Sequence, residues 1–195
     1  MKSQKTLTQQ TFVCPWWLIY SFDNPLRRLV QKPERILHEL VRPGSRCLDV
    51  GCGFGYFTIP LAKLAGPSGS VTAVDLQEKM LAGLRRRAER DQLLSRIRVH
   101  RADTSGLHVD GVFDFALAFW MLHEVPDQEA MLAEICGALK PGGKLLLAEP
   151  KVHVNAFSFH RTVACAETVG FKRDREPRIS FSRSLVMVKA DPTAS

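Results

Sequence analysis

Short apolar runs of strand length alternate with amphipathic segments of helix length along most of this chain, and no other feature constrains its fold as much. Five such runs stand at Arg46–Val50, Val71–Val74, Ile97–Arg101, Val112–Phe119 and Lys144–Ala148. Strands separated by helices form a parallel sheet covered on both faces, because a parallel crossover needs roughly a dozen residues or more. The run Val112–Phe119 is apolar apart from Asp114 near its start, as a doubly covered strand requires. After a last helical segment, about Asn155–Val169, the stretches Phe171–Ile179 and Ser184–Lys189 are joined too briefly for a crossover. They are expected to pair antiparallel, so the reading is an α/β sandwich of three layers. Its seven-stranded sheet is mostly parallel and its last strand antiparallel.

The helical segments carry their own punctuation. The first, Pro33–Val41, stops at Arg42-Pro43-Gly44, and others run from the second glycine turn to Leu64 and from Gln77 to Gln92. Asp127 is the expected N-cap of a helix to Leu139, which Lys140-Pro141-Gly142-Gly143 ends. No repeat or linker divides the 195 residues, which suit one domain: a core over 31–190 and an N-terminal cap over 1–30. No apolar stretch approaches the roughly 18 residues of a membrane span. The polar start lacks the order of a signal peptide, so a cytoplasmic protein is expected. Five scattered cysteines without a CxxC pair read as reduced, structural thiols, and no metal site is expected. Cys47 and Cys52 flank one strand and are not placed to bridge. The net charge of +7 is spread out. Arg85, Arg86, Arg87 and Arg90 are interleaved with Glu89 and Asp91, which reads as a solvated helix face and disfavours a nucleic-acid partner. The chain is expected to act as a monomer or homodimer.

The chemistry is concentrated where the first strand ends, in Arg46-Cys-Leu-Asp-Val-Gly-Cys-Gly-Phe-Gly-Tyr-Phe-Thr58. A buried strand, a glycine turn and a helix start together bring main chain close to a nucleoside-like ligand. A dinucleotide fingerprint would need glycine at position 56, where Tyr56 stands, and Asp49 would repel phosphate. A cationic cofactor without phosphate fits better. The string Asp49-Val-Gly-Cys-Gly-Phe-Gly55 resembles the first motif of the class I S-adenosylmethionine-dependent methyltransferases, whose fold is Rossmann-like. The resemblance runs from about Ile36 to Lys189 and is nearest to the small-molecule branch that includes the quinone-biosynthesis enzymes.

That resemblance implies S-adenosylmethionine as cofactor and S-adenosylhomocysteine as product. It places Asp49, Gly51, Cys52, Gly53 and Tyr56 at the cofactor loop, with Asp49 holding either the loop or the cofactor's amine. Asp75, closing the second strand, would accept the ribose hydroxyls. Leu76 would pack on the adenine, with Met80 as a neighbour. Asp103 and Thr104, after the third strand, would meet the adenine edge, and Phe119 would line the methionine portion. His123 is expected beside the acceptor, as a contact or a base, and Glu149 is expected to point into the same crevice; both are candidate catalytic residues. In Phe12–Phe22, Trp16, Trp17 and Tyr20 are candidates for one wall of an apolar acceptor pocket.

The implied function is methyl transfer to a small molecule by in-line displacement. The alternatives are methylation of RNA or protein, a non-catalytic cofactor-binding protein on the same fold, and a nicotinamide-dependent oxidoreductase. After the fourth strand, Ala118-Phe-Trp-Met-Leu-His123 lacks the Asn/Asp-Pro-Pro-aromatic motif of base-modifying amino methyltransferases.

Overall fold

The computed structural model describes residues 31–191. The chain runs α1 (Pro33–Leu37), β1 (Arg46–Val50), α2 (Thr58–Ala65), β2 (Ser70–Asp75), α3 (Glu78–Arg90), β3 (Ile97–Arg101) and β4 (Phe113–Phe119). It continues through α4 (Gln128–Ala138), β5 (Leu139–Pro150), α5 (Ala156–Thr168), β6 (Phe171–Arg175) and β7 (Ser182–Lys189). Short 3₁₀ turns occupy Leu94–Arg96 and Leu122–Glu124.

The seven strands form one sheet in the order β3-β2-β1-β4-β5-β7-β6. The first five are parallel, and β7 slots between β5 and β6 antiparallel to both. The chain therefore winds outward from β1 to β3 and then returns to β4. Between β1 and β4 the winding reverses, and in such sheets ligands bind in the crevice outside the strands' carboxyl ends.

Alternation along the central strands divides the core in two. Cys47, Phe115, Leu117 and Phe119 face a cluster with Leu37, Ile59, Leu61, Leu81 and Leu84, from α1, α2 and α3. Leu48, Val50, Ala116 and Ala118 face one with Leu132, Ile135, Phe159 and Val163, from α4 and α5. Helix, sheet, helix is thus the layering that the paired periodicities demand. Asp127 caps α4 by accepting Ala130 N–H at 2.9 Å, and Asn155 caps α5 by accepting Ser158 N–H at 2.8 Å. Asp114, the one acid of β4, accepts Arg46 N–H at 2.7 Å and pairs with Lys140 at the far end of the sheet from the crevice.

Several boundaries differ from the expectation, among them α1, which stops at Leu37 rather than Val41, and the ends of β5 and β6. β5 begins at Leu139, through the Lys140–Gly143 turn, because Leu139 pairs with Phe113 before an irregularity shifts the register. β6 ends at Arg175 rather than Ile179, since Pro177 has no N–H to give a ladder. On α3, Arg85 pairs with Glu78 and Arg90 with Asp91, which is how a solvated face disposes of its charge. Among the described residues no helix is long and apolar enough to cross a membrane.

Candidate active site

The glycine loop bends as its residues require. Gly51, Gly53 and Gly55 have φ of +70°, +53° and +84°, where side chains are strained. A Cβ at Gly51 would stand 2.7 Å from Met121 Cβ, and one at Gly55 would stand 2.3 Å from Leu84 Cδ1. At Gly53 it would meet nothing within 4 Å. Packing therefore accounts for glycine at 51 and 55, whereas Gly53 borders open space.

Where the loop's amides point distinguishes the possible ligands. Gly51 and Cys52 N–H donate to Val74 O at 2.9 and 3.0 Å, and Gly55 N–H donates to Cys52 O at 2.9 Å. Gly53 N–H donates to Asp75 Oδ2 at 2.9 Å. A phosphate cradle needs several amides aimed together at the anion. Here four are spent within the protein, and a carboxylate holds the one that borders the opening.

Two carboxylates flank this loop. Asp49 is buried in β1 and accepts the Thr58 hydroxyl at 2.5 Å, tying the strand to the first residue of α2. Its burial pushes the carboxyl up to about 7, against the pull of Thr58 and with the help of Asp75's charge. Asp75 ends β2, and its Oδ1 accepts Gln77 N–H at 2.9 Å. Burial raises its pKa too, although bonds from the Gln77, Gly53 and Leu76 amides oppose the rise. Leu76 is exposed beside it, an apolar side chain left at the edge of the opening.

Other expected contacts find different surroundings. Cys52 is buried, its thiol pushed well above the usual range by burial and by the charges of Asp49 and Asp75, so it offers main chain rather than sulfur. Tyr56 is buried; its hydroxyl donates to Gln31 O at 2.6 Å and its ring meets Phe57 edge-on at 5.2 Å. Met80 must be corrected: it has no exposed surface and lies on the buried stripe of α3. Asp103 and Thr104 are exposed after β3. Asp103 Oδ1 accepts Ser105 N–H, Ser105 Oγ–H and His108 Nε2 at 2.7, 2.6 and 3.0 Å, and these bonds hold its carboxyl well below the usual range. Asp103 thus closes a tight turn at the rim. Trp16, Trp17 and Tyr20 lie outside the described residues.

Across the crevice, Phe119 ends β4, its ring 4.2 Å from Phe57 and 5.5 Å from Trp120 between centroids. Trp120 takes φ of +58°, uncommon for a bulky residue, and is held there by its amide on Ala148 O at 2.8 Å and its indole N–H on Ser182 Oγ at 2.9 Å. Nothing in the sequence announces that conformation. His123 follows in the 3₁₀ turn, half-buried, with Nδ1 2.5 Å from Glu149 Oε2. Glu149 Oε1 accepts Leu122 N–H at 2.9 Å. The expectation that Glu149 points into the crevice therefore needs correction. It is 1% exposed, with both oxygens turned inward onto the turn that carries His123. His153, missed from sequence, stacks on His123 at 5.8 Å with planes 6° apart.

A glycine loop facing a strand-end carboxylate, at the switch point of a parallel sheet with an antiparallel seventh strand, defines a nucleoside-cofactor α/β fold whose loop is not built for phosphate. Comparison with known proteins narrows the class. Residues 47–143 match the family described as methyltransferase domain. It is 36% identical over 116 residues to a demethylmenaquinone methyltransferase of Lactobacillus johnsonii, covering 59% of this chain and 48% of that protein. A protein of the same name in Staphylococcus aureus is 35% identical over 118 residues, covering 60% and 48%. The chain thus spans about half the length of the curated relatives it matches. A SAM-dependent methyltransferase from Aquifex aeolicus superposes with a TM-score of 0.81 at 22% identity, over 90% of this chain and 99% of that one. An O-methyltransferase from Thermotoga maritima gives 0.67 at 19%, over 84% and 67%. At such identities these two speak for the fold.

Proposed function

We propose that this chain transfers the methyl group of S-adenosylmethionine to a small-molecule acceptor. The observation that carries the proposal is the opening at Gly53, bordered by the Asp75 carboxylate and by a loop whose amides are already spent. S-adenosylmethionine has no phosphate to satisfy, two ribose hydroxyls to donate and a positive charge, and it supplies an electrophilic methyl group on a good leaving group. Asp75 is the acceptor for the hydroxyls, where a charged oxygen makes the stronger hydrogen bond. Leu76 offers an apolar face to the base, and the Phe57–Phe119 row lines the side toward the acceptor. The remaining task for the protein is alignment of acceptor and methyl with water excluded, which can contribute roughly 7–11 kcal/mol.

The two relatives cited, both named for demethylmenaquinone, support a hydroquinol as the first acceptor to test, and the absence of an Asn/Asp-Pro-Pro-aromatic motif after β4 speaks against base amines. The described cysteines are all free thiols, which suits a cytoplasmic enzyme. The test is transfer of radiolabelled methyl from S-adenosylmethionine to a demethylated naphthoquinol, to bulk transfer RNA and to a mixed protein substrate. Label in the extracted quinol, with S-adenosylhomocysteine released in equal amount, is the expected result. Label confined to RNA or protein would overturn the small-molecule reading.

A further inference from the structure

Glu149 and His123 form a pair that cofactor binding does not use. A buried carboxylate is costly unless its oxygens are paired. Glu149 Oε1 is satisfied by Leu122 N–H, a role a neutral glutamine could fill. Oε2 does more, since a carboxylate against Nδ1 makes that nitrogen the one bearing hydrogen and leaves Nε2 as the acceptor. Among the described residues Nε2 has no hydrogen-bond partner; Glu124 Oε1 is 4.0 Å away. The parallel His153 ring fixes the imidazole plane from one side. The register Phe119↔Ala148 sets the two strand ends level, so the pair stands at the carboxyl ends of β4 and β5, the end of the sheet where ligands bind.

We propose that His123 Nε2 is the general base that receives the acceptor's proton, with Glu149 as its positioning residue, and that the acceptor belongs to the class carrying an ionisable hydrogen, such as a phenol or hydroquinol. The proposal rests on the methyltransferase reading above. In the step, the acceptor's nucleophilic atom forms the new bond to carbon and the electron pair of the broken C–S bond stays on sulfur. The proton the acceptor loses passes to Nε2. The cofactor's positive charge is thereby exchanged for an imidazolium beside the Glu149 carboxylate, and charge balances. A thioether or tertiary amine acceptor would have no proton for this pair to take.

Three groups face the imidazole: Glu149 from β5, Glu124 from its own turn and His153 from the loop after β5. Burial lowers the His123 pKa, but the hydrogen bond to Glu149, with the charges of Glu149 and Glu124, outweighs it and leaves the value above the usual one. Turnover should therefore climb with pH through the His123 titration.

The test uses the whole chain with isotope-labelled histidine, following the His123 ring by NMR against pH and assigning it by its loss in H123Q. In E149Q the His123 midpoint should move to lower pH, and the acidic limb of kcat/KM with the naphthoquinol probe should move with it. H123Q should lose about 10²-fold or more in kcat and lose that limb, while S-adenosylmethionine affinity stays within about twofold. A limb that survives in H123Q, or a His123 midpoint unmoved in E149Q, would overturn the proposal. If E149Q does not fold, E149D, which keeps the charge, must keep the raised midpoint. Failure of the parent chain to bind S-adenosylmethionine would sink the methyltransferase reading instead, and the NMR titration reads the imidazole–carboxylate pair apart from that outcome.

Discussion

Replacing Asp49 by asparagine tests how the core tolerates a carboxyl in the middle of a buried strand. Asp49 is 3% exposed, and its burial raises the carboxyl from the ordinary 3.8 to about 7. With the folded value above the unfolded one, the native state keeps a proton over that interval that the unfolded chain has released. Stability due to this group is therefore greatest below 3.8, falls as pH rises toward about 7 and is level above it. The interval corresponds to roughly 4 kcal/mol, or roughly 2–4 once relaxation around the charge is allowed. Asparagine keeps the shape and an oxygen for Thr58 but adds an amide N–H₂ without a partner, at about 1–3 kcal/mol. Urea unfolding of parent and D49N between about pH 4 and about pH 8 isolates the effect, because other groups cancel in the difference. The difference should move in favour of D49N by roughly 2–4 kcal/mol across that range. A flat difference, or one moving the other way, would refute the reasoning.

The glycine loop separates packing from binding. Gly55→Ala drives a Cβ into Leu84 at φ +84° and should cost about 2–4 kcal/mol in denaturant unfolding. Gly53→Ala meets open space and should cost only about 1–2 kcal/mol for its φ, yet lose more than about tenfold in S-adenosylmethionine affinity by calorimetry. Asp75→Ala should weaken that affinity by roughly 10–100-fold through loss of charged hydrogen bonds, and a variant binding as well as the parent would remove Asp75 from the site. Asp127→Ala removes the α4 cap and should cost about 1 kcal/mol in thermal unfolding with methyl transfer unchanged.

Why some of this was legible and some was not follows from where each signal resides. β1 and β3 fall on the expected residues because turns bound them tightly, and β1 carries the apolar run of a doubly covered strand. The early start of β5 is set by Leu139 meeting Phe113, a pairing across the sheet that local pattern does not encode. Met80 had a readable signal that family position obscured: it shares a helical stripe with Leu81, Leu84 and Ala88, and a core stripe is what it joins. His123 and Glu149 were each visible as polar residues after apolar strands. That they meet depends on strand register, and so the sequence suggested two crevice residues where the fold makes one buried and one presented. The inward turn of Glu149, the φ of Trp120 and the stacking of His153 are tertiary facts with no local trace.

The central claim is that the loop at Gly51 receives a cationic, phosphate-free nucleoside cofactor. Calorimetry of the whole chain against S-adenosylmethionine, S-adenosylhomocysteine and NAD in parallel tests it most directly. One site that takes both sulfur compounds and leaves NAD unbound is the expected result. Saturable binding of NAD with no heat from either sulfur compound would contradict it.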